Sequence, residues 1–177
     1  MNDPPDHRPI DAELLGRLLD EHGPALALYA AQRTDTADDC VQEALVELAR
    51  QTAAPEHVVA WLYRVVKHRA LNAARGARRR RERESRAMAE RFATRQHSGS
   101  FDQGDAMAVV EALGQLELNE RDTVVMRIWG GLTYEEIALA LAISTSTAHR
   151  QYERALNKLR QILESPCSTN EKRTNLS

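Results

Sequence analysis

The densest chemistry in the chain is cationic. Arg78-Arg79-Arg80-Arg81 is followed, after Glu82, by Arg83, and residues 58–97 carry twelve basic side chains against three acidic ones. Residues 1–57 reverse that balance, with four basic and twelve acidic, so the net charge of −2 conceals a basic block behind an acidic front. Guanidinium groups at this density suit phosphate oxygens, which they grip through paired N–H donors while releasing bound counterions. Just ahead of the run, Trp61, Tyr63, Arg64, Lys67, His68, Arg69 and Asn72 mix rings with cations. That mixture suits single-stranded DNA, whose bases stack on rings while cations follow its backbone. A third cluster comprises Thr147, His149, Arg150, Glu153 and Arg154. His149, Arg150, Glu153 and Arg154 are spaced to project from one helix face, where arginine can read guanine edges in a major groove. Ser144, Thr145 and Ser146 precede them, where helix-end amides attract a phosphate. A fourth cluster, Asp38, Asp39, Glu43 and Glu47, suits docking on a basic protein surface, steered by charge.

Other chemistries find no support. There is no Gly-rich phosphate loop, no HExxH and no nucleophile–base arrangement, so neither an enzyme nor a cofactor is expected. The two cysteines, Cys40 and Cys167, form no CxxC and have no histidine at ligand spacing, which argues against a disulfide framework and against a metal site. No apolar run approaches the ~18 residues of a membrane span. The first residues, Met1-Asn2-Asp3-Pro4-Pro5-Asp6, lack the basic-then-apolar order of a secretory signal, so a cytoplasmic protein is expected.

These side chains need helices to hold them. Aromatic residues are 5% of the chain, alanine, leucine, arginine and glutamate dominate, and no alternating β-branched run occurs, so the fold expected is all-α. Asp11 is placed to cap a first helix, and Gly23-Pro24 reads as its end and the start of a second, running to about Arg33. Thr36 with Asp39 resembles a capping box for a third helix, whose Ala37, Val41, Ala44, Leu45 and Leu48 share a face while Asp39, Gln42, Glu43 and Val46 share the next. A fourth helix is expected from Pro55-Glu56 to Arg75. Residues 84–105 lose apolar periodicity and end in a Ser/Gly-rich stretch, reading as a flexible linker, helical at most at its start.

Beyond it, a helix is expected over 106–116, a second capped by Asn119 and stopped at Gly130-Gly131, and a third opened by the capping box Thr133 with Glu136. A short break at Ala142-Ile143-Ser144 then leads to a last helix, from Thr145 to about Leu163. Two helices across so short a break, the second bearing polar and basic residues, form the helix-turn-helix pattern. The chain thus divides into two small helical domains, 10–83 and 106–163, around the linker 84–105, with a polar tail at 164–177.

Taken in this order, the clusters resemble the extracytoplasmic-function (ECF) group of the sigma-70 family. The matching residues are Ala37-Asp38-Asp39-Cys40-Val41-Gln42-Glu43 and Ala60-Trp61-Leu62-Tyr63-Arg64-Val65 in the first half. In the second half they are Leu116-Glu117-Leu118-Asn119-Glu120-Arg121, Leu132-Thr133-Tyr134-Glu135-Glu136-Ile137-Ala138 and Arg154-Ala155-Leu156-Asn157-Lys158-Leu159-Arg160. The resemblance implies a factor that binds core RNA polymerase and directs promoter recognition, DNA melting and transcription initiation. It implies that Asp39, Gln42 and Glu43 meet the β′ clamp helices, with the β flap as a further contact. Residues 51–57 with Trp61, Arg64 and His68 would hold the opened −10 strand, and Arg75, Arg78, Arg79, Arg80 and Arg81 its backbone. Thr147, His149, Arg150, Glu153 and Arg154 would read the −35 element. An anti-sigma factor is a further partner the resemblance admits. The alternative, a polymerase-independent helix-turn-helix regulator, accounts for the second half but not for the acidic and aromatic-basic helices. It would also need dimer symmetry, and no heptad zipper is present.

Overall fold

A computed structural model describes residues 10–88 and 112–164; they form helices, with no strand among them. The elements are α1 (Ala12–Ala31), α2 (Ala37–Ala49), α3 (Val58–Met88), α4 (Leu118–Ile128), α5 (Tyr134–Leu141) and α6 (Thr145–Glu164). The linker beyond Met88 and the 164–177 tail beyond Glu164 lie outside the described residues, as does Cys167. So does all of the helix expected over 106–116 before Ala112, of which residues 112–114 are helical.

Asp11 caps α1 as its position suggests, its Oδ1 accepting from the Leu14 N–H at 2.8 Å. The helix then passes straight through Gly23-Pro24, where a break is expected. Proline removes one backbone bond and crowds the preceding turn, at a cost of roughly 3 kcal/mol in an isolated helix. Here Ala25, Leu26, Tyr29 and Ala30 beyond it are buried, and burying Leu26 and Tyr29 alone contributes roughly as much. Tertiary packing therefore overrides the local signal.

Thr36 sits at the N-cap of α2, but its side chain makes no capping bond and the expected box with Asp39 does not form. Its hydroxyl instead meets Thr34 Oγ1 at 3.1 Å. Cys40, Val41, Ala44 and Leu48 of α2 are buried. The longest helix, α3, begins at Val58 rather than at Pro55 and does not stop at Arg75. It continues through Gly76 and the whole arginine run to Met88, past the domain boundary expected at Arg83. A 31-residue helix spans about 46 Å at 1.5 Å per residue.

In the second half, Glu117 rather than Asn119 caps α4, through a reciprocal box with Glu120. The Thr133–Glu136 box forms as expected, with Thr133 N–H to Glu136 Oε2 at 2.8 Å and Glu136 N–H to Thr133 Oγ1 at 3.2 Å. The α5–α6 break is closed by Ala142 in the left-handed conformation (φ 56°, ψ 47°), from which Ile143 N–H returns to Ala138 O at 3.0 Å. Ala148 and Ala155 are fully buried on the inner side of α6.

The two halves pack against each other, which no sequence pattern foretells. Tyr29, Leu62, Tyr63 and Val66 of α1 and α3 share one core with Val125, Met126, Leu132 and Ile137. Tyr29 and Tyr63 meet edge to face, ring centroids 5.2 Å apart. At the centre of the junction, Asp122 of α4 is wholly buried against α1 and α3. Its carboxylate pairs with Arg33, accepts the Tyr29 hydroxyl at 3.3 Å and lies 4.0 Å from Lys67 Nζ. Gly130 lies against the Tyr63 hydroxyl, in space a Cβ would occupy.

Candidate nucleic-acid interface

Three polar faces stand out on this scaffold. The first lies on α2, where Asp38, Asp39, Gln42 and Glu43 are exposed around Val46. Arg69 of α3 reaches across to it, donating to Glu43 Oε2 at 3.0 Å and Glu47 Oε2 at 2.5 Å. Its guanidinium is held more firmly protonated than usual, chiefly by the Glu47 bond. The face is thus a shallow acidic depression rimmed by Asp39, Gln42, Glu47 and Arg50, with one cation fixing two of its carboxylates. Arg69 is therefore turned toward α2, although the ring-and-cation mixture includes it. Its position beside buried Val66 and Ala70, facing an acidic neighbour helix, is the signal that it points elsewhere.

The second face runs along α3. Trp61, half-buried against the core, leads to exposed Arg64, His68, Asn72, Arg75 and Arg79 in steps of three or four. These align on one side of the helix. The Asn72 amide sits 3.4 Å from the His68 ring nitrogens, and Arg79 Nε bonds Arg75 O at 3.4 Å, keeping its side chain along the helix. Three members of the expected ring-and-cation mixture turn away: Tyr63 is fully buried, Lys67 faces Asp122, and Arg69 faces α2. The four consecutive arginines do not act as one patch either, because successive helical residues diverge by about 100°. Arg79 extends the stripe. Arg78 bonds Glu82 at 2.7 Å and Arg81 lies 3.6 Å from Asp35, so the run surrounds the helix with positive charge.

The third face is the outer side of α6. Arg150, Glu153, Arg154 and His149 are exposed side by side. The Thr147 N–H is shared between Ser144 O at 3.0 Å and Ser144 Oγ at 3.2 Å, which satisfies a first-turn amide locally. Thr147 is half-buried; its hydroxyl lies 2.7 Å from Ser144 Oγ and 3.3 Å from Arg150 Nη2. It therefore orients Arg150 and the helix start more than it reaches outward. His149 leans on Tyr134, ring centroids 5.0 Å apart, and Tyr134 in turn lies 4.9 Å beneath the Arg127 guanidinium and against Tyr152. That stack ties the outer side of α6 to α5. No group of three or more His, Cys, Asp or Glu suited to a metal ion occurs among the described residues.

At the junction, burial raises the Asp122 pKa above the ordinary carboxylate value, opposed by the hydrogen bond and charge of Arg33. Burial likewise raises the Tyr29 phenol, reinforced by the Asp122 charge, and the Tyr63 phenol.

The described residues thus form an all-helical scaffold that carries a helix-turn-helix, a ring-and-arginine stripe on α3 and an acidic face on α2. The sigma-70 region 2 family matches residues 18–80, and the sigma-70 region 4 family matches residues 106–159. The ECF RNA polymerase sigma factors SigD of Mycobacterium bovis and Mycobacterium tuberculosis are each 28% identical over 172 residues, covering 85% of this chain and 77% of theirs. Among solved structures, the sigma factor RpoE in complex with the anti-sigma factor NepR from Bartonella quintana shares the fold. Its TM-score is 0.58 at 22% identity, covering 88% of this chain and 99% of that one. CnrH in complex with the cytosolic domain of CnrY does so at TM-score 0.58 and 23% identity, covering 88% of this chain and 91% of CnrH. The chain belongs to the ECF group of the sigma-70 family. It is a sigma factor, which binds core RNA polymerase and directs it to initiate transcription at promoters.

Proposed function

We propose a division of labour among the three faces. The acidic face of α2, with Asp39, Gln42 and Glu43, docks on the β′ clamp helices of the polymerase, and the second half reaches the β flap. The stripe Trp61, Arg64, His68, Arg75 and Arg79 holds the opened −10 strand and its backbone. Arg78, Arg80 and Arg81 supply long-range positive charge to the flanking duplex. His149, Arg150, Glu153 and Arg154 read the −35 element, with Thr147 positioning Arg150. The chain itself performs no chemistry and works in the cytoplasm, where the polymerase is. No helix among the described residues is long and apolar enough to cross a membrane. An anti-sigma factor is the expected antagonist, since RpoE is seen in complex with the anti-sigma factor NepR.

One observation carries this assignment: acidic, ring-and-cation and recognition faces occupy separate exposed sides of one scaffold. The test is reconstitution with core RNA polymerase and run-off transcription on a genomic fragment library, which should yield discrete initiation sites. Arg150→Ala with Arg154→Ala should weaken duplex promoter binding by roughly ten- to a hundredfold while polymerase association is unchanged. Loss of polymerase association in that variant would show the division to be wrong.

A further inference from the structure

Three elements converge on one ring at the edge of the helix-turn-helix. Tyr134 is the first residue of α5, its backbone fixed by the Thr133–Glu136 box. The Arg127 guanidinium of α4 lies 4.9 Å from the ring centroid and is itself anchored, donating through Nη1 to Leu132 O at 2.7 Å. From α6, His149 and Tyr152 meet the ring at steep angles, 71° and 66° between planes, with centroids 5.0 and 5.9 Å away. The Tyr134 hydroxyl makes no hydrogen bond among the described residues, so it is the ring that does the holding. The core of the motif is closed by buried Ile137, Ala138 and Ala148, with Tyr134 half-buried at its margin.

His149 needs such a hold more than its neighbours do. A neutral imidazole offers a donor on one nitrogen and an acceptor on the other, so the base group it meets depends on which edge points outward. Its outer torsion is broad and roughly two-fold, and a free ring presents either edge. Arg150 has a tether of its own in Thr147, whose hydroxyl lies 3.3 Å from Nη2. No hydrogen bond among the described residues reaches a His149 ring nitrogen, so the Tyr134 ring sets the imidazole plane and leaves both nitrogens free for a base edge. Ring pairs of this geometry favour one arrangement by roughly two- to twelvefold. A side chain fixed before binding also loses less freedom when it docks.

We propose that Tyr134 is a positioning residue for −35 recognition: acting through His149, it turns the imidazole so that one base pair is read, with Arg127 and Tyr152 holding the ring in place. The inference rests on the reading of His149 proposed above. It divides the recognition face into two separately set parts. Arg150 is oriented from within α6, by Thr147, and His149 from outside it, by α5 and α4. Base choice at the pair beneath His149 therefore depends on a side chain that itself reads no base.

The test uses the full chain bound to core polymerase and a promoter recovered in the run-off selection, with each base pair of its −35 element changed in turn. Fluorescence anisotropy measures the binding of every version. His149→Ala should level the preference at one base pair, which marks the pair this residue reads. Tyr134→Leu should weaken the preference at that same pair by roughly two- to twelvefold and leave the pairs read by Arg150 and Arg154 as they are. Tyr134→Phe, which keeps the ring, should restore the parent profile, and Tyr134→Leu should add nothing once His149 is alanine. Circular dichroism checks that helices persist. If Tyr134→Leu loses them, Arg127→Met, which frees the ring without removing it, should give a smaller loss at the same pair, and no loss there overturns the proposal. An equal loss at every −35 pair in Tyr134→Leu would make Tyr134 a structural residue only. A Tyr134→Phe profile like that of Tyr134→Leu would make its hydroxyl a direct DNA contact, and either result overturns the proposal. If His149→Ala changes no preference, the reading assigned to His149 fails and the positioning role with it. A preference levelled in His149→Ala but intact in Tyr134→Leu overturns the positioning role alone.

Discussion

Ala142 shows how a single residue can sit against its own preference. It closes the helix-turn-helix break at φ 56°, where a β-carbon crowds the neighbouring carbonyl at a cost of roughly 1–2 kcal/mol. Glycine carries no such penalty, though it loses more freedom on folding. Ala142→Gly should therefore stabilise the chain by about 1 kcal/mol, seen as a higher urea midpoint with an unchanged slope, and leave the α6 face as it is. Residue types on that face are legible because their spacing alone places His149, Arg150, Glu153 and Arg154 together. What spacing cannot tell is which polar groups are spent inside the molecule. Thr147 is half-committed to the α6 cap, Tyr63 to the core and Arg69 to Glu43 and Glu47.

At the level of elements, capping and breaker signals serve unevenly. The Thr133–Glu136 box is readable because both partners are local, three residues apart. Gly23-Pro24 misleads because α1 is held by packing that no local window contains, whereas α3 runs on through Gly76 into an exposed segment where Arg78 bonds Glu82 one turn on. Asn119 yields the α4 cap to Glu117, whose partner Glu120 also receives Lys158 of α6 at 2.8 Å, so a distant helix favours that choice. The unbroken α3 changes what the arginine run can do. With its guanidinium groups distributed around a rod, they act mainly as a charge cloud. Replacing Arg78, Arg80 and Arg81 by alanine, with Arg79 kept, should weaken holoenzyme binding to unrelated promoters by similar factors. It should also lower the slope of log K against log salt by about 0.7–0.9 for each phosphate left without its cation. Anisotropy titrations at several salt concentrations measure both. Weakening confined to one promoter sequence would instead make these arginines base readers.

Across the whole molecule, the sequence shows two helical halves and their order, but not that they close on one another. The junction is built from Tyr29, Arg33, Tyr63, Asp122 and Gly130, drawn from segments about seventy to ninety residues apart, and an aspartate in a charged helix start reads like any solvated one. The same junction gives the folded chain an alkaline limit. Burial raises the Tyr29 and Tyr63 phenols above the ordinary value near 10. Above about pH 10 the unfolded chain therefore releases protons that the folded chain retains, and stability falls by up to ~1.4 kcal/mol per pH unit for each tyrosine. Denaturation midpoints followed upward from about pH 9 should show that decline, and Tyr29→Phe with Tyr63→Phe should flatten it. A decline equally steep in the double variant would place its origin elsewhere in the chain.

The continuity of α3 has a geometric corollary. Its side chains share one angular clock, so adding or deleting a single residue between His68 and Arg78 would swing everything downstream through about 100° while moving it only ~1.5 Å along the axis. Trp61, Arg64 and His68 would keep their bearing as Arg79 rotated out of line. Between those points, natural variation is free to exchange one side chain for another but not to alter the count.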